Sequence, residues 1–232
     1  MKLAEIAFAC YIYSHMSDYD RSYLRFVKET SPQLDLRLRP HQMALLKWLN
    51  DWGCRQFSKD YHGLAAKEIG EWCEEFGARL FPMDRALLSL SDEDLALVEH
   101  AYDNLIARTA SRKKRENGYE TKVTVGPTGT AKILFAVRPN ALIPWDEPIR
   151  ERFGADNSAR SYVNYLLTAK GHLEELSQEC DKRGYRLSDL PQLLGRSTSS
   201  IVKMIDEYFW VTISRSCPVP SDDELMRWVT WQ

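Results

Sequence analysis

Residues 132–154 read KILFAVRPNALIPWDEPIRERFG, Lys132 to Gly154. Their punctuation decides the fold around them. The apolar run Ile133–Val137 predicts a buried helix, stopped by Pro139-Asn140. Pro144 holds the chain extended as it approaches Trp145 and Asp146. Pro148 suits the first turn of a second helix, which carries Arg150 and Arg152 and ends at Gly154. Asp146 therefore falls at the joint between an apolar helix and a basic one, at an N-cap position. A cap is one use of a carboxylate there. Chemistry is another, because a helix N-terminus favours the anion.

Upstream, Gly126, Pro127 and Gly129 predict a tight turn, with Thr130-Ala131 opening the apolar helix. Glycines directly before a helix leave backbone N–H groups free to meet a phosphate. The thirty residues VGPTGTAKILFAVRPNALIPWDEPIRERFG, 125–154, resemble the core signature of the helix-hairpin-helix DNA glycosylase superfamily. Gly126 and Gly129 match that family's hairpin glycines, Thr130-Ala131 its Thr-Ala pair and Asp146 its catalytic aspartate. Arg150, Arg152 and Gly154 match the helix that follows. The resemblance implies a mostly α, two-lobed fold that flips a base out of double-stranded DNA. It implies DNA contacts from Gly126, Thr128, Gly129, Thr130, Lys132 and Arg150, and a base pocket lined by Trp145. Two residues, Pro127 and Thr128, separate the glycines where the family usually has one, and the loop before Asp146 is about one residue short. Gly129 occupies the position at which bifunctional members carry a lysine, and Lys132 lies beyond the Thr-Ala pair. The expected enzyme is therefore monofunctional, without a Schiff-base step, and the iron–sulfur cysteines of some members are missing.

Outside this stretch the chain reads as a succession of helices. LAEIAFACYIYSHM is apolar on most faces. HQMALLKWLNDWGCRQF and AAKEIGEWCEEFGARL place their apolar residues near a 3.6-residue period, and Gly53 is a natural C-cap. Ser91 and Asp94 resemble a capping box for DEDLALVEHAYDNLIART. A long amphipathic helix is expected to end near Gly184, and DELMRWVTWQ reads as an aromatic-rich helix. Strand signal is confined to Lys122–Val125 and Val211–Ser214. The densest basic run, Arg112, Lys113, Lys114 and Arg115, lies just before the glycine turn, where it suits phosphate contact; Lys122, Arg138, Arg150 and Arg152 extend it. Residues 187–208 resemble a helix-turn-helix with Ser199, Ser200 and Lys203 on the second helix, although Pro191 interrupts the first. Two packed helices explain the same pattern.

Composition sets outer bounds. The 232 residues are 44% hydrophobic, 11% aromatic and 28% charged, with a formal net charge of −2, which fits a chain with a sizeable core. Any DNA contact must then come from a local patch. The five cysteines show no CxxC pair and the five histidines no HExxH, so neither metal nor cofactor is expected. No GxSxG elbow or GK[ST] loop supports serine hydrolase or nucleotide chemistry. No segment reaches the roughly 18 apolar residues of a membrane span, and a cytoplasmic monomer is expected. Residues 110–185 are expected to form the helix-hairpin-helix lobe, and 1–109 with 186–232 the other. The functional expectation is a DNA N-glycosylase acting on a damaged or modified base. A hypermodified base of foreign DNA, such as phage DNA, is one substrate this leaves open. The competing readings are a DNA-binding protein without catalysis and a helical scaffold.

Overall fold

A computed structural model describes residues 1–116, 118–221, 223, 224 and 227. Ten α-helices and one two-stranded sheet occur among them. Helices α1 (Leu3–Met16), α2 (Tyr19–Glu29), α3 (Arg39–Asp51), α4 (His62–Glu75) and α5 (Asp92–Ile106) lead into strands β1 (Thr109–Lys114) and β2 (Glu120–Thr124). Then come α6 (Gly126–Val137), α7 (Glu147–Arg152), α8 (Ala159–Lys182), α9 (Leu190–Leu193) and α10 (Ile201–Phe209). Among the described residues no helix is long and apolar enough to cross a membrane.

Several ends are set as the sequence indicates. Gly53 follows α3 at φ +80° and Gly184 follows α8 at φ +76°, the left-handed region that favours glycine. The Ser91 hydroxyl accepts from the Asp94 amide at 3.2 Å and the Asp94 carboxylate accepts from the Ser91 amide at 3.0 Å, a complete capping box.

Helix α6 is the structural axis. Every residue from Gly129 to Val137 is buried, and Phe135 packs against Tyr23, Trp48 and Trp52. Burying a side chain of that size contributes about 2–3 kcal/mol. The main hydrophobic cluster is continuous from Ile6 to Phe209, taking in side chains from residues 1–109, 110–185 and 186–232 alike.

One local expectation holds with a partner strand the sequence did not show, and two are corrected. The strand expected at 122–125 is β2, and it pairs antiparallel with β1, which carries the basic run; Arg112 faces Lys122 and Lys114 faces Glu120. The first half of β1, Thr109–Ser111, is buried and the charged second half exposed, so its sequence shows no apolar alternation and left no periodic signal. The strand expected at 211–214 is instead a π-helical turn, Trp210–Ser214, closed by the Arg215 amide donating to the Trp210 carbonyl at 2.9 Å. The helix-turn-helix does not form. Pro191 lies in the first turn of a four-residue α9, Ser200 caps α10, and Lys203 is fully buried. The expected C-terminal helix lies mostly outside the described residues.

Candidate active site

The loop between α6 and α7 is fixed from inside. Ala141, Leu142 and Ile143 are buried. The Tyr162 hydroxyl donates to the Ile143 carbonyl at 2.9 Å and the Tyr165 hydroxyl to the Pro144 carbonyl at 3.1 Å. This delivers Asp146 in extended conformation (φ −108°, ψ 177°) to the N-cap of α7. Its Oδ1 accepts from the Ile149 amide at 3.1 Å. The Ser214 hydroxyl, from the π-turn, lies 3.0 Å from Oδ1 and 2.8 Å from Oδ2 as a donor. The half-buried carboxylate is thus gripped on both oxygens, with its orientation set by two elements 68 residues apart.

The tight turn expected at Gly126–Gly129 is instead the first turn of α6, which opens at Gly126 rather than at Thr130, and it meets the aspartate. Arg150 Nη1 donates to Thr128 Oγ1 at 2.9 Å, the Arg150 guanidinium lies 5.6 Å from the Trp145 ring centre, and Trp145 Nε1 donates to the Pro127 carbonyl at 3.3 Å. Beside this junction is a pocket of about 150 Å³. Tyr13 and Tyr19 border it from α1 and α2, and Trp52 from the end of α3. Thr128 and Lys132 come from α6, Asp146 from the loop, and Asp206 and Trp210 from the far end of α10.

Several residues expected to touch DNA do not face solvent. Gly129 and Thr130 are buried, and the Thr130 hydroxyl donates to the Gly126 carbonyl at 2.8 Å. Gly129 is small for packing: a Cβ there would lie 2.7 Å from Gln56 Nε2 and 3.2 Å from Phe57 Cε2. Gln56 Nε2 is already committed to the Val125 carbonyl at 2.8 Å. Gly129→Val should accordingly cost about 1–3 kcal/mol by overpacking, read in a denaturant melt. A melt equal to the parent's would show that the Gln56 loop yields freely.

Lys132 is buried and donates to the Trp52 carbonyl at 2.5 Å. Arg150 is buried through its contact with Thr128. Arg138 donates to the carbonyls of Phe81, Gly77 and Leu80 and so holds a loop rather than a phosphate. Trp145 is fully buried among Tyr102, Tyr162 and Tyr165, so it backs the pocket without offering a face to a base. Gly126 and Thr128 keep partial exposure, and Arg112, Lys113, Lys114 and Arg115 are exposed. The basic strand is tied to the same loop, Ser111 Oγ donating to the Gln56 carbonyl at 2.7 Å.

Asp206 and Ser214 were not singled out from the sequence. For Asp206 a signal exists. It lies on the stripe of Val202 and Phe209, four before and three after, where a carboxylate breaks an otherwise apolar face. Asp206 is 7% exposed, and among the described residues its carboxyl has no hydrogen bond or ion pair. Burial raises its pKa to about 7; the Asp146 and Glu207 charges add to the rise, while Lys203 and Lys132 act against it.

The consequence for stability has a definite sign. An unfolded Asp titrates near 3.9, so between about pH 4 and 7 the folded state holds the proton more tightly and loses stability as pH rises. Asp206→Asn removes this component. Its melting temperature, relative to the parent's, should climb from pH 4 to pH 8 in a calorimetric series. A pH-independent difference would mean that Asp206 is already ionised in the fold.

Comparison of the chain with protein-family models, with curated proteins and with solved structures finds no match.

Proposed function

We propose that the protein is a monofunctional DNA N-glycosylase whose reacting carboxylate is Asp146. One observation carries this reading: Asp146 stands at a helix N-terminus on the edge of an aromatic-walled pocket, held by Ser214 and the Ile149 amide. Breaking an N-glycosidic bond places positive charge on the sugar. A pre-oriented carboxylate stabilises that charge without reorganising, and it can direct a water to the anomeric carbon. The pocket would receive the flipped base. Lys132 is engaged by the Trp52 carbonyl, consistent with a reaction that forms no imine. The decisive experiment is incubation with duplexes carrying diverse modified bases, scored for alkali-labile abasic sites, with borohydride trapping in parallel. Absence of abasic sites on every duplex, or a trapped covalent adduct, overturns the reading.

A second reading has its own support. Strand β2 runs directly into α6, so the glycines open a helix instead of forming a hairpin between two helices, and Asp146 also serves as a cap. A DNA-binding protein without catalysis would show both features, and would bind those duplexes without releasing base.

On either reading the exposed basic residues of β1 and its turn are the part that meets phosphate. Replacing Arg112, Lys113, Lys114 and Arg115 with alanine should weaken binding to all sequences alike. It should also flatten the slope of log affinity against log salt by about 0.9 for each phosphate that is no longer neutralised. A fluorescence-anisotropy salt titration measures this, and an unchanged slope removes the run from the interface.

A further inference from the structure

The buried polar groups beside Asp146 say what kind of ring the pocket takes. The nearby ion network balances its own charge. Lys203 Nζ lies 2.6 Å from Glu207 and 3.2 Å from Asp20, and Arg196 bonds to the same two carboxylates. Two cations thus meet two anions, and Asp206 is left over. A buried carboxyl with no partner is costly unless something else supplies one, and Asp206 borders the pocket. Lys132 borders it too; the Trp52 carbonyl takes one of its three donors and the Cys54 sulfur lies beside the ammonium, which leaves at least one donor for a ligand. The walls are flat: Trp52, Trp210, Tyr13 and Tyr19. The volume, about 150 Å³, is that of a cavity that admits one benzene-sized ring.

We propose that this pocket holds a single six-membered oxo-pyrimidine ring, Asp206 reading its N–H and Lys132 its neighbouring carbonyl. The ring edge then satisfies both groups at once. Asp206 near neutrality can accept a hydrogen bond as a carboxylate or donate one as an acid, so amino- and oxo-substituted pyrimidines both fit. The substrates implied are modified or damaged pyrimidines. The assignment rests on the glycosylase reading for what brings the ring in, a flipped nucleotide, but ring binding is testable without it.

The test is ligand-observed NMR titration of the full chain with free uracil and free adenine. Uracil should bind with a dissociation constant on the order of millimolar, as expected for so few atoms, and adenine at least tenfold more weakly. Asp206→Leu should weaken uracil at least tenfold. Asp206→Asn, whose amide both donates and accepts, should stay within about threefold and controls for folding. Adenine binding as tight as uracil's, undiminished uracil binding in Asp206→Leu, or no binding by the parent overturns the assignment. The abasic-site assay separates the two readings. Uracil binding without base release on any duplex sinks the glycosylase and leaves the pocket assignment standing. Release confined to purines does the reverse.

Discussion

Asp146→Asn should lower base release at least about a hundredfold, because removing one electrostatic interaction made in the transition state costs roughly 3 kcal/mol. Stability should move by no more than about 1 kcal/mol, since an amide oxygen still caps α7 through the Ile149 amide. DNA affinity should survive, because no phosphate-facing group changes. Single-turnover rates on the preferred duplex, beside a thermal melt, make the measurement. The contrast between the two readouts matters more than either alone: a cap without chemistry would leave both the melt and the rate nearly untouched. Full activity in the Asn variant removes Asp146 from the mechanism.

Lys203→Met should destabilise the fold by about 3–5 kcal/mol, because it breaks a buried ion pair from one side. Lys203 and Glu207 have fully buried side chains. Without the ammonium, Arg196 alone faces the carboxylates of Asp20 and Glu207, and Glu207 Oε2 already has no hydrogen-bond partner. Burial pushes the Lys203 pKa down, but the charges of Glu207 and Asp20 act against it and the balance is upward, so the residue enters the fold charged. The ammonium also lies 4.4 Å from the Tyr13 ring centre and 5.5 Å from that of Tyr23, contacts methionine replaces only as packing. For a chain of this size the loss corresponds to a fall in melting temperature on the order of 10 °C. Pairing it with Asp20→Asn should restore part of the loss, as expected for coupled partners. A fall under about 1 kcal/mol would show that water reaches the network.

How much of this was legible follows from where each determinant lies. Asp146 could be placed from the sequence because its neighbours are local: Pro144 and Pro148 bracket it, and the N-cap follows from them. The capping box of α5 and the glycines after α3 and α8 were legible for the same reason. Gly129 was misread because a glycine near a helix start has two physical uses, approach to phosphate and close packing. The choice between them is made by Gln56 and Phe57, about seventy residues upstream. Trp145 and Arg150 presented the same ambiguity, and contacts with Tyr162, Tyr165 and Thr128 resolved it toward burial. The charged strand β1 has no alternation to read. Ser214 reaches Asp146 only because a widened turn follows α10, and no sequence periodicity announces such a turn. The fold class was therefore open to reading residue by residue, whereas the pocket is a product of distant segments.

That widened turn has a consequence for helical phase. Each residue of a regular helix advances the azimuth by about 100°, and a π-turn holds one residue more than the α-helical count. Asp206 on α10 and Ser214 at the end of the π-turn thus belong to one rod, and the surplus residue sets the angle between them. Shortening the rod by one residue would restore regular winding and rotate the Ser214 hydroxyl by roughly a quarter turn or more away from Asp146. The register of a single helix end thereby fixes the relative aim of the two carboxylates, much as the keying of a shaft fixes two cams.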